Sequence, residues 1–125
     1  MSEQTLTLND TKDRVTWTIE DLDLKLVFSA ETVSELIIKL GEARAQMTPA
    51  VERDYKLGQV VATIPDPIWA TEPDLMQGLS LLHIRDQRFG WLHYAFPPNE
   101  AAKLGNYLLK QAEGAAERLK PHSQH

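Results

Sequence analysis

Residues 79–96 read LSLLHIRDQRFGWLHYAF: two stretches of alternating side chains, Leu79 to Arg85 and Gly90 to Phe96, joined by Asp86-Gln87-Arg88-Phe89. Along them the even positions Leu82, Ile84, Leu92, Tyr94 and Phe96 are apolar, while the odd positions carry Leu81, His83, Arg85, Trp91, His93 and Ala95. Strand side chains alternate between faces, so the pattern predicts two strands with an apolar face for helices and a mixed face left open. A short connection containing Asp and followed by Gly suits a hairpin. One register sets His83 directly opposite His93, close enough to share a proton or a metal. A turn one residue longer or shorter sends the two imidazoles to opposite faces.

Upstream, in Leu22 to Phe28, the even positions Leu22, Leu24, Leu26 and Phe28 are apolar with Asp21, Asp23 and Lys25 between them, which predicts a half-buried strand of an antiparallel sheet. Val15 to Ile19, rich in β-branched and aromatic residues, precedes it as another strand, and Thr5 to Leu8 is a candidate short edge strand in an otherwise loose segment, 1–14. Ser29 offers a helix N-cap, with Thr32 and Glu35 as a second choice in capping-box form. Val33, Leu36, Ile37, Leu40, Ala43 and Met47 then recur at helical spacing up to Pro49. Gly41 lies inside this helix, where it is either a mark of close packing or simply tolerated.

Leu57 to Ile64, rich in Val, is expected as a further strand, stopped by Pro65-Asp66-Pro67. Residues 65–78 then read as a long irregular connection with three prolines, Trp69 and the acids Asp66, Glu72 and Asp74. Long loops in compact domains often carry function, although Trp69 is also the kind of residue that anchors a loop to a core. After the hairpin, Pro97-Pro98-Asn99-Glu100 opens a helix to about Lys120, with Leu104, Leu108, Ala112, Ala115 and Leu119 on its apolar stripe. The expected fold is therefore α+β: a two-layer sandwich with a mainly antiparallel, four- to five-stranded sheet and both helices on one face. It occupies 15–120 as one domain, and 121–125 form a disordered tail. The sequence displays no internal repeat.

Composition removes most familiar chemistry. The chain of 125 residues has no cysteine, hence no disulfide framework, thiolate zinc site or cysteine nucleophile. Its net charge of −5, with scattered Lys and Arg, lacks the clustered cations that nucleic acid requires. No apolar run is long enough for a membrane span, and the first residues lack the pattern of an export signal, so a cytoplasmic address is expected. Isolated glycines form neither a P-loop nor a dinucleotide fingerprint, and no serine sits in a nucleophile elbow. Two histidines make half of a zinc site, and a third ligand would have to come from Asp66, Glu72 or Asp74, so neither a metal nor another cofactor is expected.

His83, Arg85, Trp91 and His93 on an uncovered sheet face, with Trp69 and Asp66 nearby in sequence, are the candidate interface or ligand residues. Aromatic, Arg and His side chains together are characteristic of protein contacts. The expected function is a non-enzymatic protein-binding or adaptor domain, homodimeric through this face. The alternative is a small-molecule or metal-dependent ligand-binding domain or enzyme, using the 65–78 loop and the His83/His93 hairpin.

Overall fold

A computed structural model describes residues 3–119. The segment 121–125, expected as a tail, lies outside the described residues. The chain divides into two compact units, Met1–Val61 and Ala62–His125.

The first unit is an antiparallel meander of β1 (Gln4–Leu8), β2 (Arg14–Ile19) and β3 (Leu24–Ser29), followed by helix α1 (Ala30–Gln46). The pairing Leu6↔Trp17↔Leu26 and Leu8↔Val15↔Phe28 gathers most of the apolar side chains on one face, leaving Thr5, Thr7, Thr16, Thr18, Lys25 and the exposed Val27 on the other. The β1–β2 turn is tied by its own polar residues: Asp13 Oδ1 accepts from Asn9 Nδ2 at 2.7 Å and from Thr11 Oγ1 at 2.6 Å. These bonds, the one from Thr11 foremost, hold the Asp13 carboxyl below its ordinary range. A single 3-10 turn at Glu20–Leu22 and a left-handed Asp23 separate β2 from β3, where the acidic pair interrupts the apolar run. Ser29 caps α1, its hydroxyl accepting from the Thr32 backbone N–H at 3.2 Å, so the first of the two candidate caps is used.

Nothing lies within 4 Å of the place a Cβ on Gly41 would occupy. The glycine therefore marks no close approach and only weakens the helix. Gly41→Ala is expected to raise stability by about 0.5–1 kcal/mol, read as a higher urea midpoint with an unchanged slope.

The second unit repeats this order. A meander of β4 (Trp69–Asp74), β5 (Leu79–Asp86) and β6 (Gly90–Phe96) is followed by α2 (Pro98–Leu119), which opens with Pro98 at its first position. The two halves thus share a β-β-β-α architecture that no repeated motif in the sequence announces. Among the described residues the fold is α+β with two α-helices and two antiparallel three-stranded sheets, in place of the one larger sheet expected.

Two assignments change. Leu57–Ile64 is not a strand: it pairs with nothing, and Leu57 and Val60 are almost fully exposed. Strand propensity describes fit to a pleated, half-buried surface, and no such surface receives this segment. The first strand of the second sheet lies instead within the expected 65–78 loop. Pro73 is accepted there because β4 is an edge strand, where a missing N–H can face outward.

No hydrophobic side chain is buried among the described residues. The apolar face of the first sheet leaves Leu6 and Leu8 largely exposed, and α1 packs chiefly on β3. The solvent-accessible surface is 11533 Å². Exposed apolar side chains among the described residues include Leu6 and Leu8 of the first unit and Trp69, Leu108 and Leu109 of the second, which the elements of each unit leave uncovered.

Candidate functional site

The β5–β6 turn decides what the second sheet presents. Asp86 pairs with Gly90 across a three-residue connection, and Gly90 has φ +83°, the left-handed residue that closes such hairpins. Asp86 is the one buried residue among those described. Its carboxylate accepts from the Arg88 backbone N–H at 2.7 Å, Arg88 Nε at 3.2 Å and Arg88 Nη2 at 3.1 Å, while the guanidinium lies 4.7 Å from the Phe89 ring centre. The Arg88 side chain, then its backbone N–H, holds the Asp86 carboxyl below its ordinary range. A depressed carboxyl contributes stability that is complete above the unfolded value of 3.8 and is lost as pH falls through the folded one. Acid unfolding of the parent should therefore start below the ordinary carboxylate range. Asp86→Asn should lose that dependence and unfold a few degrees earlier at neutral pH, as followed by circular dichroism.

The clamp fixes the register that sets His83 opposite His93 and Arg85 opposite Trp91. Ala70 completes the row across β4, and Glu72 stands diagonally beside it. His83 Nδ1 lies 2.8 Å from His93 Nδ1, with ring centres 5.0 Å apart and planes at 71°. On its other side His83 Nε2 lies 2.9 Å from Glu72 Oε1. The groups form a line, Glu72–His83–His93, with both nitrogens of the middle ring engaged. Glu72, one of the three carboxylates considered as a third ligand, thus reaches His83. The line leaves only His93 Nε2 free, and no group of three His, Asp or Glu side chains among the described residues could hold a metal.

The line also constrains proton placement. Glu72 accepts from His83 Nε2–H, so His83 Nδ1 either accepts from His93 Nδ1–H or, when His83 is an imidazolium, donates to it. Half-buried His83 and exposed His93, Arg85 and Trp91 form one continuous surface that no helix of this unit covers.

Trp69 and Asp66 do not join them. Trp69 pairs with Ile84 and so faces the other way, 65% exposed and anchoring nothing. Asp66 lies before β4 in a left-handed bend with φ +46°. Trp69 instead forms a wall of a groove of about 790 Å³, floored by Leu82, Ile84 and Phe96 and flanked by Leu104 and Leu108 of α2. The 65–78 segment and the histidines therefore do not enclose a common pocket: the groove lies on the apolar face, chiefly away from the imidazoles. Its existence was hidden in the sequence because α2 has the spacing of a packed helix yet only partly closes over its sheet. The Asp86–Arg88 clamp was also missed, although an acid two residues before an Arg at a turn is its visible sign.

Comparison with protein-family models, with curated proteins and with solved structures gave no match.

Proposed function

We propose that the chain is a non-enzymatic protein-binding or adaptor domain of the cytoplasm that works as a homodimer through the open face carrying His83, Arg85, Trp91 and His93. The observation that carries this reading is the exposed indole of Trp91 beside Arg85 on that open face. Trp91, 44% exposed beside Arg85, is the type of side chain around which such contacts concentrate.

Sedimentation equilibrium tests the reading: twice the mass of the 14.2 kDa chain is expected at micromolar concentration, and a single-chain mass up to the highest soluble concentration would sink it. A ligand-binding or enzymatic role draws on the groove lined by Trp69 and on the imidazole line. It calls for a thermal shift with divalent metals or anionic metabolites, which the adaptor reading does not.

A further inference from the structure

Resting on the homodimer reading, we propose that the Glu72–His83–His93 line is a proton-operated latch: the face associates while the line holds at most one added proton and separates when it takes up a second. The geometry sets the limit. With both imidazoles neutral, protons on His83 Nε2 and His93 Nδ1 satisfy the 2.9 Å and 2.8 Å contacts in series. One added proton makes His83 an imidazolium donating to Glu72 on one side and to His93 Nδ1 on the other, or leaves the charge on His93 with the same two bonds intact. A second added proton places N–H groups on both Nδ1 atoms. Two donors cannot share a 2.8 Å contact, so the rings must part.

The same step alters the cost of burying the face. Glu72, on β4, is the carboxylate that reaches this line, and it is engaged by His83. The other charged side chains placed on this face are Asp74 of β4 and Arg85 of β5. Asp74 Oδ1 accepts from the backbone N–H groups of Met76 and Gln77 in the β4–β5 turn, and Arg85 is itself a cation. The second imidazolium therefore has no counter-charge of its own. Covering an unpaired charge in an interface carries a desolvation penalty that no partner offsets. In a twofold contact the same patch meets itself, so each charge is introduced twice. Association is thus expected to weaken as pH falls through the range where imidazoles charge.

The test is sedimentation of the full chain at about pH 8 and about pH 5.5, beside His93→Gln, with ¹⁵N NMR of the imidazoles over the same range. The parent should be dimeric at the higher pH, and its dissociation constant should rise about tenfold or more at the lower, together with loss of the His83–His93 hydrogen-bonded signals. His93→Gln, which cannot take the second proton, should remain associated at both. A dimer equally tight at both values overturns the latch and leaves the homodimer standing, whereas a single chain at both overturns the two together. A His93→Gln dimer that separates over the parent's pH range moves the effect to other groups and overturns the latch. If His93→Gln fails to associate at all, the NMR decides: a His83–His93 bond that survives below the dissociation range excludes it.

Discussion

Trp91→Asp is expected to leave a folded, single-chain protein in which self-association is weakened about 30-fold or more. The indole stands on β6 directly opposite Arg85, two residue pairs along from the histidines on the same face, and nearly half of its surface is open. A central aromatic in a contact commonly accounts for about 2 kcal/mol or more, which corresponds to about 30-fold in the dissociation constant. Aspartate adds a charge that meets its own copy across a twofold axis. Because Trp91 is exposed within its own chain, the circular dichroism spectrum and thermal midpoint of the dissociated chain should change little. The control is Trp69→Asp on the opposite face of the same sheet. Sedimentation of the two variants assigns the interface: loss of the dimer with Trp69→Asp and not Trp91→Asp would move the contact to the groove beside α2.

Gly90→Ala carries the largest expected loss of stability, about 1–2 kcal/mol, through backbone conformation alone. No atom lies within 4 Å of where the added methyl would stand, so clashes with neighbours contribute nothing, and the cost comes from holding an L-residue at φ +83°. For a body of this size that is a fall of several degrees in Tm. The turn can relieve the strain by shifting its pairing, which would separate His83 from His93. The imidazole ¹⁵N signals should therefore change along with Tm. Gly90→Asn, which tolerates the left-handed region better, should lose less stability and keep the contact. Equal Tm for parent and Gly90→Ala would remove the turn's role in setting register.

Most of the secondary structure is legible because it follows from local periodicity. The alternation from Leu79 to Phe96 predicts both strands and their faces, and the pairing of His83 with His93 is the register that brings the candidate imidazoles together. Ser29, Pro98 and the apolar stripes place both helices. The failures are those of context. Leu57–Ile64 has strand composition without a partner, and Trp69–Asp74 has loop composition yet gains one because Pro73 sits on an edge. The division into two three-stranded sheets depends on long-range pairing, which alternation does not encode. Within the candidate site, His83, Arg85, Trp91 and His93 follow from strand parity. Glu72 stands out as an acid, but its contact cannot be located from sequence, since the strand that carries it reads as a loop.

The three-residue turn between Asp86 and Gly90 bears on how this sequence can vary over evolution. Parity alone decides whether positions on β6 face the imidazole row or the groove. Without a compensating bulge, a single-residue insertion or deletion would exchange Trp91 and His93 for Leu92 and Tyr94 throughout the strand. Descendants that keep the histidine contact should therefore change this loop's length only in steps of two, while substitutions at Gln87 remain free.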